Sequence, residues 1–162
     1  MALRFGRIAA VAALLASAAG AMPPAAHLPV YPRSAAPQIP AAPIMVILIR
    51  STLTALSQAN QTGDYTVLHA LGSDTYRRAN TTIRLAQVFA GFRANAIDIS
   101  SVGYLNSELT RAPEMVGGRL HLVGYFPSQP VQINFDLLFE PSEAQWKIFG
   151  LGVSLSQAGT VH

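Results

Sequence analysis

Arg119–Phe126 (RLHLVGYF), Val131–Glu140 (VQINFDLLFE) and Trp146–Leu155 (WKIFGLGVSL) follow one another with only Pro-Ser-Gln-Pro and Pro-Ser-Glu-Ala-Gln between them. In the first run Leu120, Leu122 and Phe126 alternate with Arg119, His121 and Tyr125. In the second, Val131, Ile133, Phe135, Leu137 and Phe139 alternate with Gln132, Asn134, Asp136 and Glu140. Period-two alternation between turn signals marks half-buried strands, each with one face on a core and one polar face. Short connections make consecutive strands antiparallel neighbours, so the three runs form a meander. The third run is apolar at both parities, which predicts a central strand or one covered by a second subunit.

Upstream of the meander, Gly117-Gly118 is the strongest hairpin signal in the chain, because both residues take positive φ without strain. Val102–Val116 reads as a further strand that Pro113 demotes to an edge or a bulge. Ile97–Ile99 reads as a short strand. Earlier still the period changes. Leu48, Ile49, Thr52, Leu53, Leu56 and Ala59 recur at three- and four-residue spacing, one buried helical face ending at Gly63. Asp64 caps a second short helix through Leu71 with Val67, Leu68 and Leu71 inward, and Ser73 or Asp74 opens a turn containing Tyr76. A third helix follows Asn80, its inward side Ile83, Leu85, Ala86, Val88, Phe89 and Phe92, with Arg84 and Arg93 facing out. Asn60-Gln61-Thr62 and Asn80-Thr81-Thr82 match the glycosylation sequon, but both asparagines are better read as helix-end residues.

The domain therefore runs from about residue 44 to residue 156, with a flexible tail over 157–162. Before it, Met22–Pro43 holds seven of the eleven prolines and one charge, Arg33, a composition that favours an extended linker over a packed core. Before that, Arg4 and Arg7 precede the Ala/Leu/Val run Ile8–Ala21, which closes on Ala19-Gly20-Ala21. A basic start, a short apolar run and a small-residue exit predict a signal peptide over 1–21, hence a periplasmic or secreted protein. The run is about 14 residues, short of the ~20 that span a bilayer, so no stable membrane anchor is expected once the signal is cleaved.

Composition narrows the function classes. The 162 residues contain no cysteine, which excludes disulfides, thiolate metal sites and a lipid-bearing cleavage cysteine. Net charge is +3, and loss of Arg4 and Arg7 with the signal leaves about +1. Basic clusters interleaved with exposed aromatics are missing, so a nucleic-acid partner is not expected. No histidine pair has ligand spacing, so neither a metal site nor a cofactor is expected. There is no G-x-S-x-G, no phosphate loop and no Ser/His/Asp arrangement.

An N-terminal helical layer followed by an antiparallel meander, with the register of Ile47–Asn60, Gly63-Asp64-Tyr65 after it, and the closing run Gln145-Trp146-Lys147-Ile148-Phe149-Gly150-Leu151, resembles the NTF2-like branch of the cystatin-like α+β superfamily. The resemblance spans Ile44–Leu155 and rests on pattern. It implies helices packed on a curved antiparallel sheet shaped as a cone, a scaffold shared by isomerases, dehydratases and non-catalytic accessory domains. By residue type, the positions able to serve a ligand or a reaction are Tyr76, Asp98, Tyr104, His121 and Asp136. None stands in a motif that matches the family's enzymes. Two readings follow. One is an exported non-catalytic module that binds a partner protein or a small apolar ligand in the mouth of the cone. The other is a small isomerase, lyase or hydrolase with an Asp or His base in the cavity. A homodimer through the sheet face, formed by Val131–Glu140 and the doubly apolar last strand, is a separate expectation.

Overall fold

A computed structural model describes residues 38–158; the expected signal peptide, most of the expected linker and the end of the expected tail lie outside the described residues. The chain order is helical then extended. Helices α1 (Ala42–Thr62), α2 (Thr66–Ala70), α3 (Asp74–Ala79), α4 (Thr82–Val88) and α5 (Ala90–Ala94) come first. The 3₁₀ turn η1 (Ser100–Gly103) precedes strands β1 (Glu108–Leu109), β2 (Glu114–Val116), β3 (Arg119–Phe126), β4 (Val131–Ser142) and β5 (Gln145–Gln157). The strands make one open antiparallel sheet in the order β1-β3-β4-β5, with β2 also pairing β3. The architecture is α+β.

Helix α1 starts at Ala42 rather than Ile44, because Pro43 fits the first turn, where its missing N–H is no loss. Ile49, Leu53, Leu56 and Ala59 form its buried stripe. Gly63 ends it at φ 78°, returning its N–H to the Ala59 carbonyl at 2.8 Å. Among the described residues α1 alone is long and apolar enough to cross a membrane, with a mean hydropathy of 1.3. Its buried stripe shows it as the core helix of the domain.

The other helices depart from the pattern reading in instructive ways. Asp64 Oδ1 accepts the Thr66 N–H at 2.9 Å and opens α2, and hydrogen bonding from the Thr66 side chain, then from its N–H, holds the Asp64 carboxyl below the ordinary value. Ser73 caps α3 through the Tyr76 N–H, and Thr81, not Asn80, caps α4 through the Arg84 N–H. The expected third helix is two short ones that meet at Phe89. Leu85 and Phe89 are buried, but Ile83 and Val88 are exposed, as is Val67 on α2. Helices of five to seven residues present too few turns to keep a wide apolar stripe inward. Arg93 also turns in: it donates to the Tyr65 hydroxyl at 2.5 Å and the Ala86 carbonyl at 2.8 Å, and its guanidinium lies over the Tyr65 ring. Tyr65 is fully buried, stacks on Phe89 and donates to Asn60 Oδ1.

The expected strand over Ile97–Ile99 is a loop, and Val102–Val116 is mostly irregular. Asp98 explains the first difference: it accepts the Ser100 N–H and hydroxyl at 2.8 and 3.0 Å and so starts η1. Ile99 and Val102 then anchor η1 in the core. Pro113 separates the two short strands β1 and β2, which share one edge of β3.

Gly117-Gly118 forms the tight hairpin into β3, with φ of 57° and 78°. Strand β3 then alternates without exception, Leu120, Leu122 and Phe126 being fully buried. They join Ile133, Phe135, Leu137 and Phe139 of β4, Leu53 and Leu56 of α1 and Leu68 of α2 in a single core.

Strand β5 is not central. It lies at the sheet edge, and its apolar residues have two destinations. Ile148, Leu151, Val153 and Leu155 face the core opposite Phe139, Leu137, Phe135 and Ile133. A bulge opposite Leu138 re-aims Phe149 to the other face, where Arg119 stacks on its ring at 3.7 Å and bonds Glu140 at 3.4 Å. The bulge, rather than burial on both sides, accounts for the double apolar pattern.

Candidate functional site

The five residues singled out by type fall into three places. Tyr76 is buried beneath Gly72; a Cβ at Gly72 would come within 2.2 Å of the Tyr76 ring, so the aromatic fills the space that the glycine leaves. It is a core residue. Burial pushes its phenol up to about 12 from the ordinary 10.0. The native state therefore retains this proton where the unfolded chain has lost it. The resulting stabilisation is complete below the unfolded value and is lost as pH rises through the folded one. Urea midpoints should thus fall on going from about pH 9 to about pH 12, and Tyr76→Phe should reduce that fall.

His121 and Asp136 come together on the sheet face opposite the helices. Nε2 of His121 lies 2.7 Å from Asp136 Oδ1, and Nδ1 lies 3.2 Å from Glu114 Oε1. Arg111 completes the cluster, with Nη2 at 3.2 Å from both ring nitrogens and Nη1 at 3.6 Å from Glu114. These contacts tie β2, β3 and β4 together. A general base needs one ring nitrogen free to face its substrate. Here each nitrogen faces a carboxylate, and Asp136 is 59% exposed. Among the described residues, no three His, Asp or Glu side chains are grouped so as to hold a metal ion. Near this cluster Tyr125 donates to Glu108 at 2.5 Å, and that bond raises its phenol above the ordinary value.

Asp98 and Tyr104 line the third place, an open groove of about 640 Å³ between η1 and the β3–β4 turn. One wall is Asp98, Ser100, Ser101, Tyr104 and Leu105; the other is Pro127–Val131; Ile97, Ile133 and Leu155 supply apolar lining. Each wall is fixed locally. The Leu105 carbonyl accepts from Arg50 of α1 at 3.0 Å. The Ser128 hydroxyl bonds the Val131 carbonyl, and its N–H bonds that of Phe126. The Gln129–Pro130 peptide is cis. Tyr104 stands at the rim, 76% exposed. Ile97 and Asp98 are shared with a second groove of about 570 Å³ that also takes in Asn60, Phe92 and Arg93.

Residue type alone missed most of this site. Leu105, Pro127, Pro130, Val131 and Leu155 look like turn or strand residues in the sequence, and only the return of β4 past η1 makes them neighbours. Arg111 and Glu114, the companions of His121, sit in a stretch read as strand. Comparison of the chain with protein-family models, with curated proteins and with solved structures finds no match.

Proposed function

We propose that this is an exported, non-catalytic binding module of the NTF2-like cone class, which takes a small apolar ligand into the groove between η1 and the β3–β4 turn. The observation that carries the reading is the groove itself. Its volume of about 640 Å³ lies within the range of small-molecule sites, and the apolar side chains of Ile97, Leu105, Val131, Ile133 and Leu155 share its walls with a comparable number of polar groups. The order of elements, helices first and then an antiparallel meander with one core between them, supports the cone. The residues at Arg4, Arg7, Ile8–Ala21 and Ala19-Gly20-Ala21 support export to the periplasm. The enzyme reading has less behind it, since His121 and Asp136 satisfy each other on an open face away from either groove.

The test is a titration of the purified protein with N-phenyl-1-naphthylamine, an uncharged apolar fluorescent probe. We expect saturable binding at one site. Val131→Asp puts a charge on the groove wall from a position already 36% exposed, and should weaken binding about tenfold or more. Tyr104→Ala should weaken it less, and His121→Ala not at all. Binding that is absent, or unchanged in Val131→Asp, would overturn the reading.

A further inference from the structure

The outer side of β5 is occupied at one end only. Ile148 donates its N–H to the Leu71 carbonyl at 3.1 Å and accepts the Ser73 N–H at 2.9 Å. Beyond it, among the described residues, no strand pairs with that side. At the far end Ala158 turns its N–H back to the Pro130 carbonyl at 3.2 Å. The open edge is therefore Phe149–Gln157, and its midpoint is Val153. Edge strands are normally protected by charge, proline or cover. This segment, FGLGVSLSQ, has neither a charge nor a proline.

Backbone direction follows from the same bonds. Ile148 points its N–H and carbonyl away from β4, and Ala158 points its N–H toward the β4 side. The bulge opposite Leu138 absorbs the extra residue between them. By alternation Leu151, Val153 and Leu155 turn their unpaired N–H and carbonyl groups outward. Their side chains, partly buried, lie at the margin of the core, which stops half covered.

We propose that β5 pairs antiparallel with β5 of a second copy of this chain, about a twofold axis at Val153. In that register Val153 faces Val153 of the partner subunit, and Leu151 faces Leu155 of the partner subunit. All the outward groups of these residues then oppose one another, with about two bonds per pair. The run Leu151-Gly152-Val153-Ser154-Leu155 reads alike in both directions, apolar-small-apolar-small-apolar, so the twofold matches like with like on each face. The apolar margins of the two cores join into one row, and Gly152 and Ser154 pass on the other face without bulk. A stop at each end of the edge limits pairing to this register. The sheet face is less suited to a partner, because Arg119, Glu140, Arg111, Glu114, His121 and Asp136 already pair there. The inference is independent of what the groove binds.

Sedimentation of the full exported chain over a wide range of concentration should show a monomer–dimer equilibrium. Val153→Pro removes an outward N–H that the internal β4–β5 ladder does not use. It should raise the dimer dissociation constant roughly 30-fold or more while leaving the far-ultraviolet circular dichroism unchanged. Should that variant fail to fold, Val153→Cys decides. The native chain has no cysteine, so mild oxidation should link two copies at this position, and should not do so for a cysteine introduced at the exposed Ser51 on α1. A monomer at every concentration, a dimer that survives Val153→Pro in a folded chain, or no preferential link at Val153 would overturn the proposal.

Discussion

Replacing Phe135 by alanine is expected to lower the unfolding free energy by about 3–5 kcal/mol, a large part of the roughly 5–15 kcal/mol available to a domain. Phe135 is 2% exposed and lies at the centre of the inward face of β4, opposite Gly124 on one side and Val153 on the other. Its ring packs tilted against Phe126, centroids 5.8 Å apart. Loss of the ring removes its transfer free energy and leaves a cavity that rigid strands on both sides cannot collapse. Urea unfolding followed by far-ultraviolet circular dichroism and by the fluorescence of Trp146, the one tryptophan in the chain, would measure the loss. A drop below about 1.5 kcal/mol would mean that the ring is not in a close-packed core.

Gly124→Ala should cost about 2–3 kcal/mol for the opposite reason, added bulk where none fits. A Cβ at this position would lie 2.1 Å from the Glu108 carbonyl oxygen and 2.8 Å from Phe135 Cζ. Both neighbours are held: β1 pairs with β3 at this residue, and the phenyl ring is locked in the core. The glycine lets β1 cross close over β3 and lets Phe135 cover the gap. Gly152→Ala is the matched control. It is also a strand glycine, but its Cβ would meet only Asp136 atoms at 3.5 and 3.6 Å, ordinary contact distances. It should cost under about 1 kcal/mol. Equal costs for the two substitutions would show that close approach at Gly124 is not what the glycine provides. Because the alanine methyl and the phenyl ring compete for one space, Phe135→Ala with Gly124→Ala should cost less than the sum.

Legibility in the sequence followed segment length. The long segments are readable, because repeated alternation leaves one consistent face: α1 over Ile49, Leu53 and Leu56, β3 over Leu120 and Leu122, β4 over Phe135 and Leu137. The hairpin at Gly117-Gly118 is readable because only positive φ closes it. Short segments are not. Val67, Ile83 and Val88 are apolar yet exposed, since tertiary placement overrides a two-turn pattern. Arg93 is charged yet turned inward, because the Tyr65 hydroxyl and the Ala86 carbonyl await it. Asp98 reads as a ligand group but spends both oxygens on Ser100. His121 and Asp136 both read as outward, but their contact depends on register. The register that sets Phe126 opposite Ile133 puts Asp136 beside Val123, two residues along β3 from His121 and within its reach.

By itself, then, the sequence determined the α+β class, the helical-then-meander order, the buried faces of α1, β3 and β4, and a chain without cysteine chemistry. These follow from local periodicity and turn preference, which are properties of neighbouring residues. Only the tertiary structure decided that, among the described residues, β5 ends the sheet with its uncharged Phe149–Gln157 edge unpaired. It alone set Phe149 outward through a bulge, enclosed His121 between two carboxylates, and brought Tyr104 and Leu105 to face Pro127–Val131 across a groove. Each of those depends on strand order and register, set by the packing of residues far apart in the chain, and local pattern carries no record of them.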